Sequence, residues 1–132
     1  MRIAQEKVEL FMRRHGLLVN ESPTLVDYQS AQHRHGLIRE ENEEYLTACA
    51  VEDLTKVADA IADLLYVVLG AAVQHGIDIQ PIFDEVHKSN LTKDVLDPIT
   101  RKGGKGANYK EPHIADLLLI QATGLDGYGH GV

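Results

Sequence analysis

The sequence predicts an all-α protein, a bundle of four to five helices, and three observations carry that expectation. Apolar residues recur at three- and four-residue spacing through most of the chain. No segment alternates apolar and polar residues as a half-buried strand would. Aromatic residues supply only 5% of the chain and Trp is absent, so Ala, Leu, Val and Ile must fill the core, which suits packed helices better than a β-sandwich. A chain of 132 residues is the size of one domain. We expect that domain over residues 1–122, followed by a flexible Gly-rich tail over 123–132.

Each helix has its own signal. Ile3, Val8, Phe11 and Met12 place a first helix over residues 2–14, which His15-Gly16 brings to an end. A turn through Asn20-Glu21-Ser22-Pro23-Thr24 leads to a second helix over about 25–50, with His35-Gly36 as a candidate kink. The third helix is the clearest: between Val51 and His75, Leu54, Val57, Ile61, Leu64, Leu65, Val68 and Ala72 form the stripe of an amphipathic helix. Gly76 stops it, Asp78 is placed to cap a fourth helix, and Ile79, Ile82, Phe83 and Val86 give that helix an apolar face. From Asp94 to Tyr109 the chain is a basic, Gly-rich loop, and a short last helix spans about 112–122.

Charge narrows the function. Thirteen basic and twenty acidic residues leave a net charge of −7, which argues against nucleic-acid binding, because a phosphate backbone calls for a basic face. A small phosphorylated ligand stays possible, since a metal ion inverts the sign of an acidic site. Cys49, the single cysteine, cannot form an intrachain disulfide and reads as a small buried hydrophobe rather than a nucleophile. The apolar run from Leu64 to Val73 is too short to span a bilayer, and the N-terminus has no cleavable apolar segment, so no membrane association and a cytoplasmic location are expected.

The acidic residues carry the chemistry. In Arg39-Glu40-Glu41-Asn42-Glu43-Glu44, three carboxylates (Glu40, Glu41 and Glu44) share one arc of a helix that turns about 100° per residue. Such a run is ordinarily a solvated face. Asp59 and Asp63, however, share a face of the most apolar helix in the chain, where an acid needs either a wet edge or something positive beside it. The short connection around Val51–Asp53 makes the second and third helices antiparallel neighbours. Glu44 then stands level with Asp59, and Glu40 with Asp63 one turn further out. Two acidic arcs at equal depth form a cage of hard oxygen ligands suited to Mg²⁺, with Mn²⁺ as a substitute. The His residues show no zinc-ligand spacing, which argues against zinc, and His87 reads as structural.

Glu40-Glu41-x-x-Glu44 followed by Ala62-Asp63-Leu64-Leu65-Tyr66 resembles the all-α NTP pyrophosphatase superfamily of MazG, phosphoribosyl-ATP pyrophosphohydrolase and dimeric dUTPase. The run Glu85-Val86-His87-Lys88-Ser89-Asn90-Leu91-Thr92-Lys93, then Gly104-Lys105-Gly106-x-Asn108-Tyr109, narrows the resemblance to the MazG-like, phosphoribosyl-ATP-pyrophosphohydrolase-like branch. It covers about residues 37–115. The resemblance implies hydrolysis of a nucleoside triphosphate between its α- and β-phosphates. It implies Glu41, Glu44 and Asp63 as Mg²⁺ ligands, and Glu40 as a further ligand or as the base that orients water. It also implies Asn90, Lys93, Lys105 and Tyr109 as nucleotide contacts. The family's usual Glu-x-x-Asp would put Glu at position 60, where this chain has Ala60; Asp59 is the nearest substitute.

Alternatives stand beside these assignments. Lys93 and Lys105 fit either phosphate contacts or solubilising loop lysines, and Asn90 fits either a base reader or a helix cap. The favoured substrates are (deoxy)pyrimidine nucleotides such as dUTP or dCTP, with phosphoribosyl-ATP as the alternative on the same fold. A different class of function, a non-catalytic module docking a basic partner through its acidic face, does not need acids in the most apolar helix. Amphipathic helices left with apolar surface predict a homodimer or homotetramer.

Overall fold

The computed structural model of the chain describes residues 1–94 and 97–124. Among these residues it is all-helical, with five helices: α1 (Arg2–Arg14), α2 (Tyr28–Ala50), α3 (Leu54–Gln74), α4 (Ile79–Asn90) and α5 (Ile114–Thr123). Contacts divide the chain into two compact units, Met1–Ile77 and Asp78–Val132. Residues 125–132 of the expected tail lie outside the described residues.

The first unit holds α1, α2 and α3, with α3 packed against both of the others. Aspartates set where the helices begin. The Asp27 carboxylate accepts from Ser30 N at 3.0 Å, so α2 starts at Tyr28, later than apolar spacing alone suggests. Asp53 does the same for α3 through Lys56 N at 3.1 Å. Such caps are worth about 1 kcal/mol each. The helix α2 runs unbroken through Gly36, because one glycine weakens a helix without ending it. The turn between α2 and α3 is only Val51, Glu52 and Asp53, with Glu52 at a φ of 55°. That brevity fixes the two helices as an antiparallel hairpin.

The core of this unit is small and aliphatic: Val8, Met12, Ala48, Ala60, Leu69, Ala72 and Val73 are buried. Ala48 and Ala60 let α2 and α3 approach closely. The segment between α1 and α2 is strapped to the end of α3, where Asn20 Nδ2 donates to Gln74 O at 2.7 Å and Thr24 N to His75 O at 2.9 Å. Gly76 makes room for the strap. Its φ is 66°, and a Cβ there would run into the carbonyls of Ser22 and Asn20. By contrast, Cys49 is exposed, not buried as expected, because it lies one position past Ala48 and faces away from the seam.

By length and composition α3 is apolar enough to cross a bilayer, with a mean hydropathy of 1.6 over its most apolar window. The expectation drawn from Leu64–Val73 alone understated this. The helix nevertheless packs against α1 and α2 and carries Asp59 and Asp63. An apolar stripe on it stays exposed: Ile61, Leu65 and Val68, at i, i+4 and i+7.

In the second unit Asp78 caps α4 as expected, accepting from Gln80 N at 3.3 Å, and Gln121 on α5 binds the Asp78 backbone at both N and O. The basic loop is ordered by its own acids. Asp97 Oδ1 accepts from Ile99 N and Thr100 N, both at 2.8 Å, and Asp94 N donates to Gly104 O at 2.8 Å. The buried Ser89 donates its hydroxyl to Lys110 O at 2.7 Å, which ties the end of the loop back to α4.

Candidate metal centre

The α2–α3 seam brings three carboxylates together. One oxygen each from Glu41, Glu44 and Asp63 lies within 4.8 Å of the others. Glu41 and Glu44 are one turn apart on α2, and Asp63 reaches them from α3. Glu41 and Asp63 are half-buried, whereas Glu44 is exposed. Glu41 Oε2 is sealed from solvent and has no hydrogen-bond partner. Among the described residues no Lys, Arg or His forms an ion pair with any of the three. Burial, and then the Glu44, Asp63 and Glu40 carboxylates, raise the Glu41 pKa above the usual carboxylate range.

Clustered acids without a cation are unfavourable, since like charges repel and a shielded oxygen without a donor has lost its water. Both costs vanish when a divalent cation sits among the three. The donor set is all carboxylate oxygen, which suits Mg²⁺ or Mn²⁺, and three ligands from protein leave coordination positions for water and phosphate. The residues present therefore fit the metal that the sequence implies.

Glu40 and Asp59, both also expected at the metal, are exposed and stand outside the group of three. The reason is helical phase. The seam of α2 runs through Glu41 and the buried Ala48, and the seam of α3 through the buried Ala60 and Asp63. Glu40 and Asp59 each precede a seam residue by one position and are turned about 100° away from it. Asp59 instead lines a cavity of about 370 Å³ with Glu44, Thr47, Lys56 and Ala60, at the hairpin's turn.

The expected nucleotide contacts belong to the second unit. Lys93 and Tyr109 line one open groove of about 580 Å³ together with Thr92, Asn108 and Lys110. Lys105 Nζ stands 5.2 Å from the centre of the Tyr109 ring, a cation–π contact. Asn90 is exposed at the last position of α4, and His87 is exposed on the same helix.

One charged residue that the sequence reading passed over also faces the seam. Arg34 lies seven residues before Glu41, two turns along the same face of α2, and rests against Gly70, seven residues after Asp63 on α3. The shared spacing of seven was a signal available in the sequence.

No curated protein matches the chain. The family model described as phosphoribosyl-ATP pyrophosphohydrolase matches residues 8–90, a span that contains the whole carboxylate group. With that match over more than half its length, the chain belongs to the phosphoribosyl-ATP pyrophosphohydrolase family, and it is a pyrophosphohydrolase of the MazG-like, all-α type.

Proposed function

We propose that this chain hydrolyses a nucleoside triphosphate between its α- and β-phosphates in a Mg²⁺-dependent reaction, acting on (deoxy)pyrimidine nucleotides such as dCTP or dUTP. One observation carries the reading: three unneutralised carboxylates within 4.8 Å, one with a sealed and unpartnered oxygen. Mg²⁺, held by Glu41, Glu44 and Asp63, supplies charge neutralisation for the phosphate oxygens and a more acidic water. Glu40 lies off the seam but one turn from Glu44 on the exposed side of α2, and we assign it as the general base that accepts the proton of the attacking water. The water oxygen bonds to phosphorus, the bridging P–O bond between the α- and β-phosphates breaks, and the products are a nucleoside monophosphate and pyrophosphate. On the family resemblance alone, we assign Lys93 and Lys105 to the departing pyrophosphate and Asn90 and Tyr109 to the nucleoside.

The family description favours a second substrate, phosphoribosyl-ATP, for the same chemistry. A pyrophosphate-release assay over nucleoside triphosphates and phosphoribosyl-ATP, with and without Mg²⁺ or Mn²⁺, separates the readings. Release only with metal and from pyrimidine nucleotides is the expected result. Release from none of them leaves a non-catalytic module that docks a basic partner through its acidic face. The exposed stripe of Ile61, Leu65 and Val68 supports a homodimer or homotetramer, for which light scattering should report two or four chains, and the location proposed for it is the cytoplasm.

A further inference from the structure

A cavity of about 190 Å³ opens among α1, α2 and α3, and its chemistry is unlike that of the carboxylate group. Its walls are apolar and aromatic, including Phe11, Leu37, Tyr66 and Val67, and one strong donor, Arg34, looks into it. The Tyr66 ring meets Phe11 edge-on at 5.7 Å between centres. Arg34 is half-buried, and burial lowers its pKa from the usual value. Among the described residues it makes one side-chain hydrogen bond, a long one from Nε to Gln74 Oε1 at 3.4 Å. Among the described residues no carboxylate pairs with it. Among the described residues the two terminal nitrogens, with their parallel N–H bonds, have no acceptor.

The placement is built in. Gly70 is buried, and a Cβ there would stand 2.5 Å from Arg34 Nη1, so the guanidinium lies in a notch that only glycine leaves open. Gln74 is 6% exposed and holds the Nε side. A partly desolvated guanidinium costs free energy unless something accepts its hydrogen bonds. The cavity is smaller than the roughly 300 Å³ at which pockets take a whole drug-sized ligand, so it suits one ring system. It also begins next to the candidate metal centre: Tyr66 is three residues past Asp63, Leu37 is four before Glu41, and Arg34 is about 10 Å from Glu41 along the helix axis. That span matches the reach from the α-phosphate of a nucleotide to its base.

We infer that this cavity receives the nucleobase of the substrate and that Arg34 determines specificity, donating its paired terminal N–H groups to two adjacent acceptors on the base. Among single-ring bases, cytosine presents such a pair at O2 and N3. Uracil and thymine place an N–H donor at N3, which opposes the fork. The inference rests on the pyrophosphohydrolase reading and sharpens it, from pyrimidine nucleotides to cytosine nucleotides.

The test is steady-state hydrolysis of dCTP and dUTP by the full chain with Mg²⁺, alongside calorimetric titration with dCMP and dUMP in MgCl₂. The native protein should favour dCTP by at least about tenfold in kcat/KM, and Arg34→Gln should lower the dCTP value by about 100-fold and collapse the ratio toward one. The loss should fall on KM, because the fork binds the base equally in the ground and transition states. Arg34→Lys keeps charge and bulk but not the fork, and should lose the preference too, which guards against a folding failure of Arg34→Gln. Gly70→Ala should act in the same direction by displacing the guanidinium. A native preference for dUTP, or a dCTP/dUTP ratio that none of these variants moves, overturns the assignment. No turnover of any nucleotide sinks the pyrophosphohydrolase reading instead, and the dCMP and dUMP titrations then decide the role of Arg34 by themselves.

Discussion

The chain carries the charges proposed for its function in two contrasting ways. In the first unit the acids Glu41, Glu44 and Asp63 sit on long helices, where backbone register sets their spacing and a three-residue turn sets their relative height. In the second unit Lys93, Lys105 and Tyr109 lie on or beside a loop held by short hydrogen bonds from Asp94, Asp97 and Ser89. Metal ligation tolerates little error in position, so it belongs on rigid elements. Contact with a phosphate is a matter of charge within reach, and a lysine on a loop satisfies it with many geometries. The difference predicts steep losses from small changes on the helices and graded losses from changes in the loop.

The largest effect should come from Glu41→Gln. It removes a ligand charge while keeping the shape, and we expect kcat to fall by about 10³-fold or more, measured as pyrophosphate release. The same variant should raise the stability of the metal-free protein. The folded-state pKa of Glu41 is raised, so its contribution is fully present below the ordinary carboxylate range and is lost as pH rises through the raised value. Glu41→Gln should therefore raise the Tm at neutral pH, and the gain should fade in acid. An unchanged Tm at neutral pH would mean the three carboxylates are not in conflict.

In the loop, Lys105→Ala should cost about 10- to 50-fold in kcat/KM, less as salt is added, because an exposed charge is screened. A loss as steep as that of Glu41→Gln would erase the contrast between the regions. Asp59→Asn should change kcat by less than about threefold, since Asp59 lies off the seam; a loss comparable to that of Asp63→Asn would place it at the metal after all. The smallest effect concerns the loop alone. Hydrogen bonds from Thr100 N and Ile99 N lower the Asp97 pKa, so the order Asp97 imposes persists above the ordinary carboxylate range and is lost as pH falls through the lowered value. Protection of the Ile99 and Thr100 amides, taken relative to their intrinsic exchange rates at each pH, should fall over that acid range.

Much of this was legible in the sequence, and the rest was hidden for identifiable reasons. Helix count followed from apolar spacing, and the same spacing set two acidic arcs, Glu40, Glu41 and Glu44 against Asp59 and Asp63, from which the family resemblance singled out Glu41, Glu44 and Asp63. The phase of the seam did not. Neighbouring positions on a helix differ by about 100°, and two acids side by side, Glu40 and Glu41, leave open which one faces inward. Only the packing of Ala48 and Ala60 decides it. Helix starts were misplaced because Asp27 and Asp53 cap through side-chain bonds that apolar periodicity does not register. Arg34 carried a signal, its spacing of seven from Glu41 matched by that of Gly70 from Asp63, but the two residues are 36 positions apart and the match has meaning only once the hairpin register is known.

The turn formed by Val51, Glu52 and Asp53 has a consequence for how this protein can change. It acts as a phase lock. One residue inserted there and taken up into α3 would shift Asp63 by about 100° and about 1.5 Å relative to the start of its helix, carrying it away from both glutamates at once. Single substitutions can explore the walls of the cavities, but a change of length in these three residues has no neutral neighbours. The shortest connection in the first unit should thus be the least permissive to insertion, although surface loops generally accept added residues well.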